Sequence, residues 1–147
     1  MTTLSPHHQD FYSWTRQQST LLKQHQFSEL DIMRLAEEVE DMGNHVYRQL
    51  TSRLEVLLMH LLKWQFQPAL QSKNWRLTIA EQRRRIVKLL RKNPSLTTEF
   101  VETLADAYED ARHSAMLETG LELENFPEVC PYCLEDVLNQ EFYPATK

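Results

Sequence analysis

Glu37, Glu38 and Asp41 crowd one short stretch of the chain, and His60 stands further on among leucines. A carboxylate beside an imidazole can relay a proton or hold a divalent cation, so these four are the catalytic candidates. Glu37 and Asp41, four residues apart, share a helix face, with Glu38 one flank over. His60 sits at the edge of a leucine stripe, one turn from Trp64 and in line with Arg53. If residues 29–42 and 44–66 form two helices folded back on each other, the acids approach His60. A small metal-dependent or acid–base hydrolase could be built that way. Against it, Glu37 and Asp41 lie opposite their own helix's apolar stripe, where solvated acids belong. A histidine bordering such a stripe is more often a hydrogen-bonded packing residue than a ligand. No His-Glu-x-x-His and no Glu-x-x-His pair of the di-iron bundles is present. A second set, Asp106, Glu109, Asp110 and His113, has ligand-like spacing but falls on a strongly polar face. We expect no metal site and no cofactor.

Lys63, Trp64, Trp75 and Arg76 form a second group, read as binding candidates. The tryptophans fall on apolar stripes, so core packing is the leading account. Trp75 with Arg76 could instead border a groove, since tryptophan and arginine are enriched at binding surfaces. Ser72-Lys73-Asn74 could offer backbone N–H groups to an anion there. Cys130-Pro131-Tyr132-Cys133 has the layout of a dithiol redox site, in which a helix N-terminus lowers a thiol pKa. Such sites follow a strand near the start of a βαβ unit. This one follows a run of helices, so Cys133 reads better as a small N-cap residue. Two thiols with no neighbouring histidine make half a zinc site.

Charge is uneven. Residues 73–92 carry eight basic side chains against one acid, Glu81, while the whole chain has a net charge of −5. A basic helix can neutralise phosphates, and Arg84, Lys88 and Arg91 would be its contacts. The overall negative charge works against a polyanion. We expect the basic helix to pair with Glu99, Glu102, Asp106, Glu109 and Asp110 on the next helix, and with the acids of residues 29–41. Nucleic-acid binding is therefore the third reading.

The elements that must position these residues are helices. Apolar residues recur at helical spacing over 6–24, 29–42, 44–66, 72–92 and 97–118. Phe11, Trp14, Gln18 and Leu21 share one face of the first. Ile32, Leu35, Ala36, Val39 and Met42 make the stripe of the second, and Val46, Leu50, Leu54, Leu57, Leu58, Leu61 and Leu62 that of the third. Ser28 and Asp31 resemble a capping arrangement, Gly43-Asn44 a stop or kink, and Gly120 the residue just past a helix end. Residues 121–147 read as an extended tail with a short helix near 134–138. Two glycines and six prolines are too few for the turns of a sandwich or barrel. The expected fold is all-α: one domain over residues 1–147, a bundle of about five main helices plus the short one. No apolar run nears the roughly 20 residues that span a bilayer, and no basic-then-apolar leader opens the chain. The expectation is a cytoplasmic protein that does not enter membranes.

Five strings carry a resemblance: Asp10-Phe11-Tyr12-Ser13-Trp14, Leu35 to Gly43 (LAEEVEDMG), Leu57 to Gln65 (LLMHLLKWQ), Ser72 with Trp75 to Ile79, and Phe126-Pro127 through Cys130-Pro131-Tyr132. Together and in order they resemble the bacterial family known as domain of unknown function 29. The resemblance spans nearly the whole chain. It implies an all-helical cytoplasmic domain and no particular activity, cofactor or partner. One departure stands out: the family pattern has Thr or Ser where this chain has Cys133, which favours the N-cap reading. The preferred function is a non-catalytic interaction or regulatory module with a protein partner. Amphipathic helices also suit a homodimer, though no contact face is identified.

Overall fold

The computed structural model describes residues 10–146, and among them every regular element is helical. Five α-helices follow in order: α1 (Phe11–Lys23), α2 (Ile32–Phe66), α3 (Lys73–Lys92), α4 (Phe100–Thr119) and α5 (Leu134–Leu138). Short 3-10 turns lie between them at Phe27–Glu29, Pro68–Leu70, Pro94–Thr97 and Leu123–Asn125. The start expected at Pro6 lies outside the described residues. The chain divides into two compact units, with the boundary between Asn44 and His45.

In the first unit, the Asp10 carboxylate accepts the Ser13 N–H at 2.8 Å and caps α1. Trp14 and Gln18 are the buried residues of that helix. Gln18 Oε1 accepts the Asp31 N–H at 2.9 Å, and Asp31 Oδ1 in turn accepts the Arg34 N–H at 3.3 Å. Asp31 is therefore the cap, and α2 begins at Ile32 rather than at residue 29. The Arg34 guanidinium lies 4.3 Å from the Trp14 ring centre.

Two expectations about this region fail. The break at Gly43-Asn44 is absent: α2 runs through both residues. Glycine costs roughly 1 kcal/mol inside a helix and asparagine less, which unbroken backbone hydrogen bonding on either side outweighs. The hairpin that was to fold Glu37, Glu38 and Asp41 back onto His60 therefore does not form. The expected stripe also faces outward: Ile32, Val39 and Met42 are 67, 63 and 67% exposed. Arg34, Leu35 and Glu38, in or beside that stripe, are half-buried.

The second unit is a helical bundle around the C-terminal half of α2. Leu50, Leu54, Leu57, Leu58, Leu61 and Leu62 are fully buried. Their spacing puts them on adjacent turns of one face. Ile79 and Ile86 come in from α3, and Phe100, Leu104, Ala107, Tyr108, Ala111 and Ala115 from α4. Ala111 and Ala115 have no exposed surface, the close approach that small side chains permit. Pro68 and Pro94, which lack the N–H a helix interior needs, each open a 3-10 turn after a helix. The Ser72 hydroxyl accepts the Trp75 N–H at 3.2 Å and starts α3. Gly120, at φ 75°, ends α4 in the left-handed conformation.

The tail belongs to this core. Phe126, Tyr132 and Val137 are buried in it. Two arginines fasten its backbone. Arg112 donates to the carbonyls of Leu123 and Phe126, and Arg83 to those of Asp136 and Val137.

Candidate functional site

His60 donates from Nδ1 to the Val56 carbonyl at 2.8 Å, a bond within its own helix. That assigns the proton to Nδ1 and leaves Nε2 to accept. Burial holds its pKa below the ordinary histidine value, and Lys63 pushes the same way. The opposing pulls come from the Val56 bond and Glu118. Half-buried and neutral at neutral pH, His60 packs as a helix residue does. Glu37 and Asp41 are exposed and Glu38 half-buried, all on the N-terminal half of α2. Among the described residues no group of three or more His, Cys, Asp and Glu side chains is arranged to hold a metal ion.

The structure does gather Lys63, Trp64, Trp75 and Arg76. Lys63 Nζ lies 4.8 Å from the Trp75 ring centre and bonds Glu118 Oε2 at 2.7 Å. The Arg76 guanidinium lies 4.8 Å from the Trp64 ring and 4.9 Å from that of Tyr143, and those two rings are themselves 4.8 Å apart. Two cations and three rings thus interleave α2, α3 and the tail. Cation–π contacts are worth about 0.5–2 kcal/mol each, so the cluster is a clasp. Trp64 is buried, and none of the four lines the cavity on α4 beside residues 128–134. Sequence reading missed Tyr143 and Glu118, which arrive from distant segments with no motif to mark them.

That cavity, about 570 Å³, lies between α4 and the tail. Tyr108, Arg112, His113, Cys130 and Cys133 line it with Val101, Leu104 and Leu134. Its polar groups are largely committed. Tyr108 donates to the Pro127 carbonyl, Arg112 grips two backbone carbonyls, and His113 Nδ1 bonds the Glu109 carbonyl at 3.0 Å. Burial pushes the Tyr108 phenol up to about 12 and raises the Cys130 thiol. A raised thiol is the reverse of what a nucleophilic cysteine needs. Both cysteines are free. Cys133 occupies the N-cap position of α5, but its side chain makes no capping hydrogen bond.

The basic helix differs from expectation. Its ion pairs are internal to α3: Glu81 meets Arg84 at 2.8 Å and Arg85 at 2.6 Å. Among the described residues no ion pair joins α3 to α4. Arg83 is buried and Arg76 stacked on rings. Lys73, Lys88, Arg91 and Lys92 stand exposed.

An exposed apolar surface lies in the first unit. Leu30, Ile32, Leu35, Ala36, Val39 and Glu40 line an open, nearly all-apolar groove of about 530 Å³ along the first turns of α2. The fold and this groove define an all-helical protein with an apolar helix face turned to solvent. The family described as "Domain of unknown function DUF29" matches residues 7–143, and the chain belongs to it. Neither the curated proteins nor the solved structures gave a match. No described helix is long and apolar enough to cross a membrane.

Proposed function

We propose that the chain is a non-catalytic protein-interaction module whose partner docks on the N-terminal half of α2. One observation carries the reading: Ile32, Val39 and Met42 form an apolar stripe at helical spacing, each more than 60% exposed. Contiguous apolar surface on a helix is costly in water and is characteristic of interaction sites. The hydrolase reading has less support, because the helix-to-helix hairpin it requires is replaced by continuous α2. The nucleic-acid reading keeps four exposed cations on α3, but Arg84 and Arg85 share Glu81. Affinity capture from native lysate, with Val39→Asp beside the parent chain, tests the proposal. A stoichiometric partner lost in the variant supports it, and a partner retained equally by both refutes it.

A further inference from the structure

Resting on that reading, we infer that the partner segment is a basic amphipathic helix, its apolar side seated on Ile32, Ala36 and Val39 and its lysines or arginines facing the acids that rim them. At about 100° per residue, Glu38 and Glu40 fall on either side of Val39, roughly a quarter-turn or a little more away. Glu40 itself lines the groove. Glu37 and Asp41 occupy the far side of the same turns. Residues 29–41 hold six acids and one base, Arg34. That base is spent within the unit, its guanidinium stacked over Trp14. None of Glu37, Glu38, Glu40 and Asp41 has an ion-pair partner among the described residues. An apolar strip between uncompensated carboxylates attracts cations and repels anionic surfaces, so it disfavours nucleic acid and acidic membrane alike. From Ile32 to Met42 the strip spans three turns, roughly 16 Å, the length of a short docked helix.

Three synthetic 18-residue helices with one leucine stripe and flanks of lysine, glutamine or glutamate test this by fluorescence anisotropy against the full chain. The lysine helix should bind at least about tenfold tighter than the other two and weaken as salt rises. Val39→Asp, which keeps every acid and adds one, should reduce that binding about tenfold or more, separating seated binding from diffuse attraction. Glu38→Lys with Glu40→Lys should shift preference to the glutamate helix. Equal binding of all three helices would overturn the basic partner and leave the interaction reading intact. Binding unchanged by Val39→Asp would overturn the site. No binding by any helix, while lysate capture stays dependent on Val39, would overturn the helical chemistry alone. Sedimentation showing a dimer lost in Glu38→Lys/Glu40→Lys would place a second copy of the chain there and equally overturn it.

Discussion

Arg83 Nε donates to the Val137 carbonyl at 2.8 Å, deep in the second unit. Its Nη2 reaches the Asp136 carbonyl at 3.2 Å, while Nη1 has no acceptor. The last turn of a helix leaves carbonyls unsatisfied, and two of those of five-residue α5 accept from this one guanidinium, the Asp136 carbonyl also taking the Asn139 N–H.

Arg83→Ala should therefore lower the unfolding free energy by about 3 kcal/mol, two charge-assisted bonds plus the emptied volume. Arg83→Met, which keeps the apolar stem, should lose less. Urea denaturation with matched slopes measures both. Equal or negligible losses would show that the tail docks without this clamp.

Outward and inward stripes of α2 should respond to substitution with very different magnitudes. Val39→Asp should change stability by less than about 0.5 kcal/mol. Leu58→Ala, in the sealed stripe, should cost about 2–5 kcal/mol. Thermal melts of the two variants decide it, and a large loss at Val39 would place that residue in a core.

Below neutral pH, His60 should destabilise the chain. Burial lowers its folded pKa, so between that value and the ordinary 6.5 the unfolded chain binds the extra proton. Stability is full above 6.5 and falls as pH drops through that value, levelling once the folded histidine protonates too. His60→Gln should flatten this part of the stability–pH curve. An unchanged curve would contradict the assignment.

Alkylation should separate the cysteines. Cys133 is exposed, whereas Cys130 is half-buried with its thiol raised. Iodoacetamide at pH 8 with peptide mass spectrometry should find Cys133 modified several-fold sooner. Equal rates would mean that Cys130 is not shielded as described.

The all-helical class, the leucine stripe of residues 50–62, the Gly120 stop and α5 at 134–138 were all legible in the sequence by itself. Each rests on local forces: 3.6-residue periodicity, or a residue able to adopt positive φ. The family membership was legible as well, in strings that lie in order along the chain. Only the tertiary structure decided that α2 passes through Gly43-Asn44 and that Ile32 and Val39 face solvent. It also decided that, on α3, Arg83 serves backbone carbonyls, Arg76 aromatic rings, and Arg84 and Arg85 their own Glu81. A stripe shows that a helix has an apolar face, but not whether another element covers it. A charge shows what it would attract, but not which partner the packing brings within reach.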